Sequence, residues 1–70
     1  MNKRILQQFG NRVRQERMEQ GMSQERLGEL ARVHRTYVGM IERAEKNITL
    51  TNMEKIARAL GMKVNNLVDF

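Results

Sequence analysis

Apolar residues recur every three or four positions through most of this chain, and nowhere do they alternate singly over a run long enough for a strand. Ile5, Phe9 and Val13 stand four apart, as do Leu27 and Ala31. Val38 and Ile41 stand three apart, and Met53, Ile56, Ala57 and Leu60 share one face. The pattern predicts an all-α chain of five helices. The first runs from about residue 3 to 20 and is stopped by Gly21 in a left-handed conformation. Ser23 is a good N-cap for a second helix that ends near residue 31. A third opens at His34 or Arg35 and reaches about residue 43, and residues 44 to 50 form a loop. Thr51 and Glu54 have the spacing of a capping box for a fourth helix, which Gly61 stops. A last turn, capped by Asn65 or Asn66, carries Leu67, Val68 and Phe70. The absence of proline and the scattered β-branched residues agree with helices throughout.

Two positions sit awkwardly in this pattern. Arg17 continues the stripe of Ile5, Phe9 and Val13, and a guanidinium on an apolar face is costly unless paired, so it asks for a carboxylate. Gly39 lies inside the third helix, where it costs about 1 kcal/mol relative to alanine. Either the packing of Val38 and Ile41 offsets that cost, or a ligand approaches the bare backbone.

Residues 23 to 43 read as two short helices joined by a tight turn, with Val33 plugging the corner. Once Leu27, Ala31, Val38 and Ile41 are buried, Arg35, Thr36, Gly39, Met40 and Arg43 remain on the outside of the second of them. That surface is rich in donors, poor in acids and able to enter a major groove. Arg35 suits a bidentate contact to guanine, and Thr36 a base edge or a thymine methyl. Tyr37 has two readings: it packs against the fourth helix with a wet hydroxyl, or it reaches a phosphate or base. Ser23 and Gln24 stand where the amides and dipole of a helix start favour a phosphate. Arg43, Lys46 and Asn47 follow the reading helix and are expected to hold the flanking backbone, whereas Lys3, Arg4, Arg12 and Arg14 read as solvated charges. His34, the single histidine, has a helix-start role by default.

Seventy residues make one small domain, too short for a buried active site and the scaffold to hold it. With 13 Lys and Arg against 8 acids the formal charge is +5, so the partner sought is a polyanion. There is no cysteine, hence no disulfide or thiolate metal site. The chain offers no nucleophile and base constellation and no glycine-rich phosphate loop. The expectation is a non-enzyme without metal, cofactor or small-molecule substrate. Lacking a membrane span or a secretory signal, it is expected in the cytoplasm. A core of this size supplies roughly 3–5 kcal/mol, which favours self-association.

The chain resembles the Cro/C1-type, lambda-repressor-like family of DNA-binding domains over nearly all of residues 9 to 70. The resemblance rests on Arg17 late in the first helix, Ser23-Gln24 opening the second, Ile41-Glu42 closing the third, and Ile56-Ala57-Arg58-Ala59-Leu60-Gly61 in the fourth. Within that family, Arg35-Thr36-Tyr37, then Gly39-x-Ile41-Glu42-Arg43 and Asn47-x-Thr49, are most similar to restriction-modification controller proteins. The resemblance implies a compact five-helix domain spanning 1–70, with its helix-turn-helix at about 23–43. It implies a sequence-specific regulator that binds double-stranded DNA as a homodimer, activates its own and the endonuclease gene, and represses at higher concentration. A small phage-type repressor and an antitoxin-like interaction module share much of the scaffold and stand as alternatives.

Three positions depart from the family pattern: Arg32 stands where the turn commonly has glycine, Gly28 where the second helix usually has alanine, and Gly39 where serine is frequent. Arg17 and Glu42 are expected to meet as a buried structural pair. The dimerisation region is expected at about 50–70, with Leu67 and Phe70 in the interface, because a terminal turn so apolar would fray unless covered.

Overall fold

The computed structural model describes residues 3–70. Five helices follow in order: α1 (Arg4–Glu19), α2 (Gln24–Ala31), α3 (Arg35–Glu42), α4 (Leu50–Ala59) and α5 (Val64–Leu67). Three of them open on a side-chain cap. Ser23 Oγ accepts from the Arg26 amide at 2.9 Å, His34 Nδ1 from the Thr36 amide at 3.0 Å, and Thr49 Oγ1 from the Asn52 amide at 3.1 Å. The last of these corrects the capping box: the cap of α4 is Thr49, two residues before Thr51, and α4 begins at Leu50 with Thr51 inside it. At α5 the residue before the helix is Lys63, with no side-chain cap, so neither Asn65 nor Asn66 has that role.

Four helices end on the same backbone motif. After α1, α2, α3 and α4, one residue turns left-handed and the next amide reaches five residues back: Met22 to Arg17 (3.0 Å), Val33 to Gly28 (2.9 Å), Glu45 to Met40 (2.8 Å) and Met62 to Ala57 (2.8 Å). The left-handed residues are Gly21, Arg32, Ala44 and Gly61, with φ of 70°, 60°, 59° and 71°. Glycine adopts this conformation freely, but Arg32 and Ala44 are strained by it. The motif orphans few carbonyls and turns the chain sharply, which lets four helices this short pack on one core.

That core contains Phe9, Val13, Leu27, Ala31, Val38, Ile41, Ile56, Ala57, Leu60 and Leu67. Met22, Val33, Tyr37, Met53 and Met62 pack around it, whereas Met18 is exposed. Two expectations fail here in opposite senses. Ile5, at the outer end of the first stripe, is 57% exposed, because α1 runs past the edge of the core. Leu67 is wholly buried inside the protomer, because α5 folds back onto α1 and α4, and it offers no surface to a second copy. Arg12 is not a free solvated charge either: it pairs with Glu16 at 3.5 Å and reaches the Asn66 carbonyl at 3.4 Å.

Backbone contact fixes where α3 sits. A Cβ on Gly10 would lie 2.5 Å from the Ile41 carbonyl oxygen, and one on Gly28 would lie 2.7 Å from that of Val33. Side chains at these positions would hold α1 away from α3 and force the turn after α2 open. Gly28 therefore serves the close approach at the cost of helix propensity.

Candidate nucleic-acid interface

The surface formed by the starts of α2 and α3 is organised by one buried carboxylate. Glu42, whose side chain is 3% exposed, accepts from Arg17 Nε at 2.7 Å and from Arg17 Nη2 at 3.1 Å. Arg17 Nη1 donates to the Met22 carbonyl at 2.8 Å, so the guanidinium bridges the end of α1, the link to α2 and the end of α3. Shielding from water strengthens the attraction within this two-pronged pair but costs the hydration of both charges, so neither partner can be removed alone without a large penalty. The costly arginine on the first stripe thus has its partner.

Glu42 has a second client. Gln24 Nε2 donates to Glu42 Oε1 at 3.2 Å, which lays the first residue of α2 across α3. Arg14, Arg17, Gln24, Glu42 and Arg43 line one hollow there. Arg14 belongs to this group although nothing in its local sequence marks it; only the packing of α1 beside α3 brings it there.

Among the residues singled out by sequence, Arg35 and Thr36 are exposed on the first turn of α3. Arg35 Nη1 lies 3.3 Å from Glu25 Oε2, both side chains 65% exposed, so the pair is weak and readily exchanged for a stronger anion. Ser23 is occupied as the cap of α2. Tyr37 is half-buried against the core and its hydroxyl accepts from Asn52 Nδ2 at 2.9 Å, tying α3 to α4. Tyr37 packs as its first reading expects, but its hydroxyl is bonded to Asn52 and not wet, and Asn52 is a partner that sequence reasoning missed. Arg43 Nε donates to Glu45 Oε2 at 3.1 Å, and this hydrogen bond, with the charge behind it, holds the Arg43 proton more tightly than usual. Lys46 and Asn47 are exposed in the loop between α3 and α4. Phe70 lines an apolar hollow with Ile5, Leu6, Phe9, Ile48, Met53 and Val68, and Asn47 stands at the same hollow, so the structure brings Asn47 beside Phe70 and not into the group around Glu42.

Among the described residues no group of three His, Cys, Asp or Glu side chains is placed to hold a metal ion. No helix there is long and apolar enough to cross a membrane.

The helix-turn-helix family HTH_3 matches residues 13–67. The control protein C.BamHI of Bacillus amyloliquefaciens is 47% identical over 70 residues, covering 99% of this chain and 84% of that protein. The control protein C.SmaI of Serratia marcescens is 39% identical over 64 residues, covering 91% and 76%. In three dimensions the chain is similar to the restriction-modification controller protein C.AhdI of Aeromonas hydrophila, with a TM-score of 0.87 and 42% identity, covering 89% of this chain and 94% of that one. The buried Arg17–Glu42 pair, the capped helix starts and these relatives lead to one conclusion: the chain belongs to the HTH_3 helix-turn-helix family, together with restriction-modification control proteins.

Proposed function

We propose that this chain is a restriction-modification controller, a transcription regulator that reads DNA with the start of α3 and clamps its backbone with the start of α2. The observation that carries the reading is the Gln24–Glu42 hydrogen bond, which fixes the first turn of α2 beside the reading helix on one cationic surface. A phosphate set at the α2 amides meets the positive end of that helix, with Gln24 and Arg43 beside it, while Lys46 and Asn47 on the loop after α3 hold the flanking backbone. Arg35 and Thr36 then face the base edges. Arg14 joins the clamp, since it shares the hollow with Gln24 and Arg43.

The working unit in this reading is a two-fold dimer. Phe70 keeps its assigned place in the interface, and Ile5 replaces Leu67. These two exposed apolar side chains flank the hollow between α1, the loop before α4 and the C-terminal turn, and a self-complementary contact would cover both. Two reading helices would then lie about 34 Å apart, with half-sites roughly 10–10.5 base pairs between centres.

Selection from a randomised duplex library tests this reading directly. The expected result is a near-palindromic site bound about 10³–10⁷ times more tightly than random DNA, with a logarithmic salt slope of about −0.9 per neutralised phosphate. Equal affinity for all duplexes with no salt response would refute it.

A further inference from the structure

Gly39 stands on the same outward face of α3 as Arg35 and Arg43, yet it is buried. What covers it is neither the core nor a neighbouring backbone but two long polar side chains. A Cβ at position 39 would lie 2.9 Å from Arg43 Nη1 and 3.3 Å from Gln24 Oε1. Each of these side chains is fastened at its other side: Gln24 by Nε2 to Glu42, Arg43 by Nε to Glu45.

We propose that Gly39 is a positioning residue of the nucleic-acid interface. The space left by its missing side chain is where the Gln24 carboxamide and the Arg43 guanidinium fold together over the middle of α3, so that DNA meets them as one preorganised unit. This inference rests on the reading of the surface given above and assigns it a determinant that touches no DNA itself. It also explains a glycine inside a helix, since neither the packing of Val38 and Ile41 nor an open backbone requires one there.

The two covering groups differ in how easily they yield. Gln24 is held by a carboxylate that Arg17 immobilises in turn. The Arg43 side chain is 55% exposed and meets position 39 with the far end of a flexible chain. A methyl group at position 39 therefore displaces Arg43 outward while leaving the fold intact, and alanine is also the better helix former. Stability and binding should move in opposite directions.

The experiment uses the full chain and the duplex selected from the randomised library. Gly39→Ala should raise the thermal midpoint and weaken that duplex about tenfold, the effect of losing one positioned contact. In an Arg43→Ala background the same substitution should change affinity little. Independently of DNA, the Arg43 Nε–Hε resonance should move in Gly39→Ala as the guanidinium leaves its place beside Glu45. Wild-type affinity in Gly39→Ala, or an equal loss with and without Arg43, would overturn the proposal. If the wild-type chain binds no duplex, the reading of the surface fails, and an Arg43 resonance unmoved by Gly39→Ala then overturns the cradle by itself.

Discussion

Arg17 Nε and Glu42 Oε2 stand 2.7 Å apart with their side chains 12% and 3% exposed, and this pair both closes the fold and anchors the candidate interface. A charge so deeply placed cannot be left alone. Glu42→Ala strands the guanidinium and is expected to cost about 3–5 kcal/mol, whereas replacing both residues with apolar side chains of matched volume should cost less. Chemical denaturation of the single and double variants measures the difference. Additive effects below 1 kcal/mol would contradict a buried pair.

Base reading and backbone clamping should separate by mutation. Arg35→Ala is expected to weaken the preferred duplex by about 1–3 kcal/mol and to relax preference at one base pair per half-site. Gln24→Ala should weaken all sequences alike. Glu25→Gln removes the weak partner of Arg35 and a negative charge from the surface, so it should tighten binding. Affinities across a randomised operator library check all three, and uniform losses in both alanine variants would refute the division.

The two strained helix ends predict gains in stability. Arg32 holds φ 60° and Ala44 holds φ 59°, where a β-carbon costs roughly 1–2 kcal/mol. Glycine relieves that strain but makes the unfolded chain more flexible, so Arg32→Gly and Ala44→Gly should each stabilise by up to about 1 kcal/mol. Calorimetric midpoints above wild type are the expected outcome. Losses at both positions would mean that the strain is smaller than the conformational entropy glycine adds to the unfolded chain.

Burial distinguishes the terminal apolar residues. Phe70→Asp and Ile5→Asp change exposed positions and should shift the protein toward monomer in sedimentation equilibrium, with the fold retained and the base preference of a half-site unchanged. Leu67→Asp places a charge in the core and should unfold the chain instead. A wild-type monomer at micromolar concentration that still bound operator tightly would exclude the dimer.

Local periodicity is enough to specify the helices and most of their inward faces. Leu27, Ala31, Val38, Ile41, Ile56, Ala57 and Leu60 are all buried as their spacing requires, and Ser23, Gly21 and Gly61 mark helix ends by chemistry local to a few residues. Arg17 announced a buried carboxylate for the same reason: a charge on an apolar stripe has few ways to be satisfied. Tertiary structure decided what local chemistry leaves degenerate. Thr49 and Thr51 both offer a cap three residues ahead of a helical position; the structure uses Thr49, whose hydroxyl takes the Asn52 amide while the Asn52 side chain bonds Tyr37 on α3. Arg32 and Ala44 take left-handed turns without glycine, because the packing of short helices outweighs a strain of about 1–2 kcal/mol. Ile5 and Leu67 exchange their expected places because a stripe shows which face is apolar but not how far along the helix the core extends. The convergence of Arg14, Gln24, Glu42 and Arg43 on one hollow draws on three helices, and pair distances between separate helices are not written in the period of any one of them.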